Sequence, residues 1–191
     1  MFFNRFAKRE APYPLVVGMT GVKLGDHVLQ IGCSNGGPLA AIAAKVGLSG
    51  RALAIVADQA SMARAQKAAA NLGVLVEVEL NSNPRLPVDD ATFDLVIVDD
   101  AAGAFSALRP EERGATIREA ARIVRPGGRA MIIGATPPQG ISALLSRGPV
   151  VPSIAMSGEA TSALQNAGFR GARRLAERDG LVFVEGIRPR A

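Results

Sequence analysis

The stretch DHVLQIGCSNGG, residues 26–37, limits the folds open to this chain more than any other part of the sequence. It begins with a short apolar run, Val28 to Ile31, and continues into a turn built from glycine and other small residues. Pro38 then opens a run of good helix formers, residues 39–46. A strand that enters a tight glycine turn and then a helix is typical of α/β folds, in which it presents backbone N–H groups to a ligand.

The rest of the chain repeats this alternation of strands and helices. We expect further strands at 51–57, 74–80, 93–98, 129–133, 169–177 and 181–187, and helices at 15–21, 59–71, 110–125 and 159–167. Residues 136–157 are rich in Pro, Gly and Ser, with one helical turn expected at 141–145. Strands alternating with helices predict a parallel sheet covered on both faces. The final helix, strand, turn and strand predict one antiparallel edge strand.

Four polar segments follow the expected strands, and parallel strands bring their carboxyl ends to one crevice. These segments are 32–37, 58–61, 81–85 and 99–102. Gly32, Ser34 and Gly36 with Asp58 after the next strand form a nucleoside-binding pattern, because a carboxylate accepts hydrogen bonds from both ribose hydroxyls. A dinucleotide remains an alternative ligand, since Ser34 replaces only the middle glycine of its motif and the spacing to Asp58, about 20 residues, suits it.

Composition excludes several kinds of site. With 191 residues the chain is long enough for one domain with a real core, and no apolar run is long enough to span a membrane. Cys33 is the only cysteine and His27 the only histidine, which excludes an internal disulfide, a cysteine-based zinc site and a multi-histidine metal site. The first residues, MFFNRFAKREAP, lack the pattern of a secretory signal, so we expect a cytoplasmic location.

Charge is spread unevenly over a chain of net charge +5. Residues 51–100 hold eight acids and four bases, whereas residues 170–191 hold six arginines and three acids. The basic end indicates either an anionic partner or a solvated face, and the scarcity of aromatic residues speaks against nucleic acid. Phe2, Phe3 and Phe6 beside basic residues predict either weak membrane-surface contact or packing of the tail against the domain or a partner. We therefore divide the chain into a tail with a short helix, 1–21, and a domain, 22–191.

Several motifs, in order along residues 22–188, resemble the class I S-adenosylmethionine-dependent methyltransferases of the small-molecule type. They are VLQIGCSNGG, AIVADQASMARAQ, LPVDDATFDLVIVDDA, IREAARIVRPGGRAMII and ALQNAGF. The resemblance implies a Rossmann-like three-layer sandwich with a seven-stranded, mostly parallel sheet and S-adenosylmethionine as the methyl donor. It implies transfer to a small-molecule acceptor. A metal-assisted catechol type is not expected, because the end of the fifth strand, residues 134–137, offers no carboxylate.

The resemblance also implies roles for single residues. Gly32, Ser34 and Gly36 line the methionine part and the ribose of the donor, and Asp58 holds the ribose hydroxyls. The donor-binding set implied is Gln30, Gly32, Cys33, Ser34, Asn35, Gly36, Asp58, Gln59, Met62, Ser82, Asn83 and Asp99. Asp99 or Asp100 is the candidate catalytic base if the acceptor is a hydroxyl or an acidic carbon.

Three departures from the family pattern predict weaker donor binding. Gln30 stands where the family has an acid, Ser34 stands where it has its middle glycine, and Ser82 or Asn83 stands where it has the acid of the adenine loop. Each change costs about 1–3 kcal/mol of binding free energy. One alternative is therefore a catalytically weak or inactive methyltransferase-like subunit that binds a partner through its basic C-terminal end. A further alternative is an NAD(P)-linked reductase. Asp58 is also open to a purely structural interpretation as a helix N-cap. Little chain remains to roof the site, which predicts an open site, a lid from a second copy or a partner subunit, or a large acceptor.

Overall fold

The computed structural model describes residues 13–137 and 152–190. Within these residues the helices are α1 (Pro14–Thr20), α2 (Gly36–Val46), α3 (Gln59–Leu72), α4 (Pro110–Ile123) and α5 (Glu159–Asn166). The strands are β1 (His27–Ile31), β2 (Arg51–Val56), β3 (Glu77–Leu80), β4 (Phe93–Asp100), β5 (Val124–Ala135), β6 (Arg170–Arg178) and β7 (Leu181–Ile187). None of the described helices is both long and apolar enough to cross a membrane.

All seven strands form one sheet in the order β3-β2-β1-β4-β5-β7-β6. The first five in this order pair in parallel, and β7 is antiparallel to both of its neighbours, β5 and β6. The predicted α/β fold with a seven-stranded sheet is therefore confirmed, but the antiparallel strand does not lie at the edge. The tight turn at Asp179 and Gly180 makes β6 and β7 a hairpin, and β7 takes the place beside β5.

Helices cover both faces of the sheet and bury two main groups of apolar side chains. On one face α1 and α2 contribute Val16, Ile42 and Val46 to a cluster with strand residues of β1, β4, β5 and β7. On the other face α4 and α5 contribute Ile117 and Leu164 to a larger cluster. The three-layer arrangement follows because every central strand is apolar on both of its faces.

Two strands begin three or more residues away from their predicted starts. β5 begins at Val124 and runs through the Pro-Gly-Gly segment, whereas the sequence predicted a helix to residue 125 and a strand only from residue 129. The ladder pairs Phe93 with Val124 and then shifts register, so the segment is accommodated as an irregularity near the start of the strand. β3 begins at Glu77 rather than at residue 74, because its pairing with β2 starts only at Glu77. Residues 1–12 of the predicted tail and the predicted turn at 141–145 lie outside the described residues.

Candidate functional site

The carboxyl ends of β1, β2 and β4 form the floor of a cavity. Ile31 lies beside Ile55 on one side and beside Val98 on the other, so the three side chains form a row on one face of the sheet. All three line a cavity of about 410 Å³, within the size range of small-molecule sites. Of the four polar segments expected to meet in one crevice, three contribute to this lining, and residues 58–61 do not.

Three further segments build the walls of this cavity. They are the loop after β3, the loop after β4 and the first two turns of α4. Their lining residues are Asn81, Ser82, Asn83, Pro84, Leu86, Ala104, Phe105, Leu108, Glu111, Glu112, Ala115 and Thr116, and Gly32, Ala57 and Asp99 complete the lining. Four residues of the implied donor-binding set therefore face the cavity: Gly32, Ser82, Asn83 and Asp99.

Gly32 lets the backbone pass closely between two strands at the cavity edge. Its φ of 82° lies in the left-handed region, and its N–H donates to the carbonyl of Ile55 at 2.8 Å. A Cβ at this position would lie 3.3 Å from the carbonyl oxygen of Asp99. Both the backbone conformation and the space therefore favour glycine, and the bare backbone is exposed to a ligand.

Asp99 is held by the glycine turn across from it. Its Oδ2 accepts from the Ser34 N–H at 2.7 Å and from Gln30 Nε2 at 3.5 Å. Its Oδ1 accepts from the Ser34 hydroxyl at 2.9 Å and from the Ala101 N–H at 3.1 Å. A carboxylate that already accepts four hydrogen bonds has little acceptor capacity left for a proton from a methyl acceptor.

Asp100 points to the other face of β4 and does not reach the cavity. It is fully buried beneath the loop after β4, where its carboxylate accepts from the N–H of Ser106 at 2.8 Å and from the hydroxyls of Ser106 and Ser153. Successive residues of a strand face opposite sides of the sheet, which is why Asp99 and Asp100 differ so strongly. This placement does not support the catalytic role expected for Asp100.

Asp58 caps α3 and is absent from the cavity lining. Its two carboxylate oxygens accept from the N–H and the hydroxyl of Ser61, at 2.7 and 2.8 Å. These hydrogen bonds lower the pKa of Asp58 below its ordinary value. The structural interpretation of Asp58 as an N-cap is thus confirmed. Its contact with ribose stays a prediction, because Asp58 is exposed and its carboxylate keeps acceptor capacity beyond the two bonds from Ser61. Gln59 is exposed on α3 and Met62 packs behind the glycine turn, so neither lines the cavity.

The remaining residues of the glycine turn serve the structure. Cys33 is buried against α2 and β2, and burial together with the charge of Asp99 raises the pKa of its thiol to about 11. Asn35 caps α2 by accepting from the Gly37 N–H at 2.9 Å. A Cβ at Gly36 would lie 2.5 Å from the carbonyl oxygen of Arg64, so Gly36 permits the close packing of α2 on α3. Gln30 is buried and bridges the turn and Asp99.

Sequence reasoning missed the wall formed by α4. The pattern of apolar residues predicted the helix and its buried face, but it carried no sign that Glu111, Glu112 and Thr116 face the loop after β3. That loop is fastened to α4 by Glu119, which accepts from the Leu86 N–H at 3.0 Å, and by Arg122, which donates to the carbonyls of Leu86 and Val88. These contacts span more than thirty residues, so no local pattern could reveal them.

Among the described residues, no group of three or more His, Cys, Asp or Glu side chains is placed to hold a metal ion. The cavity lining within the same part of the chain contains no Lys, Arg or His. The site is therefore an apolar cavity with amide, hydroxyl and carboxylate groups at its rim, a lining suited to a ligand that is neutral or positively charged.

Comparison with known proteins decides the family. A family model described as a methyltransferase domain matches residues 28–128, more than half of the chain. The chain belongs to this methyltransferase domain family. The match runs from β1 into the Pro-Gly-Gly segment of β5, and so contains every strand end and loop that lines the cavity.

Among curated proteins, the domain is 33% identical over 115 residues to 27-O-demethylrifamycin SV methyltransferase of Amycolatopsis mediterranei, covering 60% of this chain and 40% of that protein. It is 27% identical over 117 residues to the ubiquinone/menaquinone biosynthesis C-methyltransferase UbiE of Cupriavidus taiwanensis, covering 61% of this chain and 46% of that protein. The chain thus spans less than half the length of these two relatives.

Solved structures extend the likeness to the whole domain. A SAM-dependent methyltransferase from Aquifex aeolicus superposes with a TM-score of 0.71 at 23% identity, covering 93% of this chain and 90% of that one. The [4+2]-cyclase SpnF superposes with a TM-score of 0.67 at 16% identity, covering 93% of this chain and 79% of that one. These identities establish the fold, and a cyclase among the neighbours shows that the fold serves more than one reaction.

Proposed function

We propose that this methyltransferase domain binds S-adenosylmethionine in the cavity at the carboxyl ends of β1, β2 and β4, and that it methylates a small-molecule acceptor. The observation that carries the proposal is the cavity itself. Its lining falls within residues 28–128, the part of the chain that the family model matches, and Gly32 with its left-handed backbone forms one edge of it.

The lining fits an adenosyl group in size and in chemistry. Ile31, Ile55, Phe105 and Leu108 offer apolar surfaces for a flat aromatic base. Asn83 and its neighbours in the loop after β3 offer amide and hydroxyl groups to the edge of that base. The absence of cationic groups from the described lining suits a ligand whose sulfur is positively charged.

The donor supplies an activated methyl group on a sulfonium, so the protein mainly has to align the two reactants and exclude water. Gly32 lets the backbone approach the donor, the apolar walls displace water, and the Asp99 carboxylate places a negative charge at the cavity rim. Because Asp99 already accepts hydrogen bonds from Ser34, Gln30 and Ala101, we assign it electrostatic stabilisation rather than proton removal. The domain then suits an acceptor that does not need a strong base.

Calorimetric titration with S-adenosylmethionine and with S-adenosylhomocysteine tests the proposal. Ala104 lines the cavity, whereas Ala107 lies in the same loop, is also exposed and does not line it. We expect the wild type to bind both compounds, Ala104→Trp to lose binding because the indole fills the cavity, and Ala107→Trp to bind like the wild type.

Absence of binding by the wild type at millimolar ligand would refute the proposal and favour a non-catalytic subunit. Binding of a nicotinamide dinucleotide in place of the adenosyl compounds would favour a reductase. Equal loss of binding in Ala104→Trp and Ala107→Trp, with both folded, would place the ligand elsewhere.

A further inference from the structure

We propose that Asp100 is a positioning residue for the donor cavity and that it acts on ligand binding through Phe105. This role rests on the proposed function and deepens it, because it assigns part of the donor affinity to a residue that does not line the cavity. Asp100 lies two residues after Val98 on β4, so both face the same side of the sheet. Val98 belongs to the cavity floor, whereas Asp100 lies beneath the loop after β4.

The carboxylate of Asp100 joins two segments that are far apart in the chain. It accepts from the backbone N–H of Ser106 at 2.8 Å, from the hydroxyl of the same residue and from the hydroxyl of Ser153. The Ser106 hydroxyl accepts in turn from the Ile154 N–H at 2.8 Å. These contacts hold the loop after β4 against both β4 and the segment that precedes α5.

All the side chains of this network are buried. Asp100 is 0% exposed, Ser153 4% and Ser106 8%. Among the described residues, every donor to the Asp100 carboxylate is uncharged, and no Lys, Arg or His pairs with it. A buried carboxylate without a cation beside it costs stability unless its hydrogen bonds are well made. Its presence here points to a role in fixing the loop in one place.

The loop that Asp100 fixes carries the aromatic side chain of the cavity wall. Phe105 directly precedes Ser106, lines the cavity and packs in the apolar cluster beneath α4 and α5. Ala104 and Leu108 of the same loop also line the cavity. The carboxylate holds both the backbone and the side chain of Ser106, so it restricts where the neighbouring Phe105 ring lies against the ligand.

The loop keeps two other anchors when the Asp100 contacts are removed. At its start the Ala102 N–H donates to the Ser34 hydroxyl at 3.1 Å. At its end Arg113 of α4 donates to the carbonyls of Ser106 and Leu108, at 3.1 and 2.6 Å. Loss of Asp100 is therefore expected to leave the loop attached and to displace its middle part, which contains Phe105.

Titration with S-adenosylhomocysteine tests this role in the full chain. We expect Asp100→Ala to weaken binding about tenfold, because the displaced loop no longer presents a fixed wall to the ligand. Asp100→Asn should weaken it less, since the amide oxygen still accepts from the Ser106 N–H. Ser106→Ala keeps that N–H bond and removes only the hydroxyl, so it provides the same comparison if Asp100→Ala does not fold.

A core substitution on the other face of the sheet separates positioning from general destabilisation. Phe183 is fully buried in the cluster beneath α1 and α2 and does not line the cavity. Phe183→Leu should lower the free energy of unfolding, as large-to-small core substitutions do. We expect its affinity for S-adenosylhomocysteine to stay within about twofold of the wild type, because distant sites do not couple. Urea denaturation measures the stability of every variant.

A double-mutant cycle shows whether Asp100 acts through Phe105. Phe105→Leu should weaken binding by itself, because it removes the aromatic surface of the cavity wall. In that background Asp100→Ala, or Ser106→Ala in its place, should have much less effect than in the wild type, since residues that act through one contact are not additive.

The outcomes separate this role from the function on which it rests. Wild-type affinity in folded Asp100→Ala and Ser106→Ala, an additive cycle with Phe105→Leu, or an equal loss of affinity in Phe183→Leu would each overturn the role of Asp100. All three leave the proposed function standing, because the wild type still binds. Absence of binding by the wild type would overturn both.

Discussion

Ser34 connects the two loops that meet above the sheet. Its hydroxyl donates to Asp99 and accepts from the Ala102 N–H at 3.1 Å, and its own N–H donates to Asp99. From the sequence, this serine predicted weaker donor binding, because it replaces the middle glycine of the family motif. In the structure it joins the glycine turn to the loop after β4 and orients the carboxylate at the cavity rim.

We expect Ser34→Ala to lower the free energy of unfolding by about 1–2 kcal/mol, because it removes a hydrogen bond to a charged group and leaves the Ala102 N–H without its acceptor. Urea denaturation measures the change. Ser162→Ala is the control, since the exposed Ser162 hydroxyl donates only to the carbonyl of Gly158, the N-cap residue of α5. Equal and small effects of both substitutions would show that the connection contributes nothing to stability.

At this scale the sequence predicted which residue types lie at the strand ends, but not what each one contacts. Asp58 and Asp99 both follow apolar runs, and both looked like ligand-binding acids. The bond between Asp99 and Ser34 joins positions 65 residues apart, so only the folded chain reveals it. The cap formed by Asp58 is local and was recognised from the sequence as an alternative.

The packing of α2 on α3 depends on a bare backbone at Gly36. A Cβ there would lie 2.5 Å from the carbonyl of Arg64 and 2.6 Å from the Cβ of Ala68, which forces the helices apart. We expect Gly36→Ala to cost about 1–3 kcal/mol of unfolding free energy, the usual cost of overpacking. Gly114→Ala is the matched control in α4. Its new Cβ meets only the flexible end of Arg118, at 3.2 Å.

Gly114→Ala should be neutral or raise the unfolding free energy by up to about 1 kcal/mol, because alanine favours the helix. Urea denaturation of both variants gives the comparison. Similar effects in the two helices would contradict the account of Gly36.

The contact between α4 and the loop after β3 predicts a pH dependence of stability. Hydrogen bonding to Arg122 is the main cause that lowers the pKa of Glu119. A carboxylate with a lowered pKa contributes stability above its unfolded pKa of about 4.3, and this contribution is lost as the pH falls through the folded pKa. Glu119→Gln should therefore be less stable than the wild type at pH 7, by about 1–2 kcal/mol, and close to it at pH 3.

Urea denaturation at pH 7, 5 and 3 measures this convergence. Asp89→Asn serves as the control, since Asp89 is exposed in the same loop and forms no ion pair with a described residue. A stability difference between Glu119→Gln and the wild type that stays constant down to pH 3 would contradict the assignment.

At the scale of elements, periodicity predicted the helices and the central strands within a few residues. It failed where long-range pairing decides the outcome. β5 continues through Pro126, Gly127 and Gly128 because Phe93 pairs with Val124. β7 does not lie at the edge of the sheet because it pairs with β5. The α4 wall was missed for the same reason, since Glu111 reaches the cavity only through the packing of the whole helix on the sheet.

For the whole molecule, the fold and the family were both accessible from the sequence, because the motifs occur in order along the chain. The family model ends at residue 128, while the structural likeness to the Aquifex aeolicus enzyme covers 93% of the chain and so includes α5 and the β6–β7 hairpin. The cavity draws its lining from six separate segments of the chain. Its composition therefore depends on the complete fold, and its ligand is the central claim to test.

A crystal structure of the chain grown with S-adenosylhomocysteine tests that claim most directly. We expect ligand density within the cavity of about 410 Å³, with the adenosyl group between the loop after β3 and α4 and the rest of the ligand beside Gly32. Density at any other place on the molecule, or a cavity filled by the protein's own side chains at saturating ligand, would contradict it.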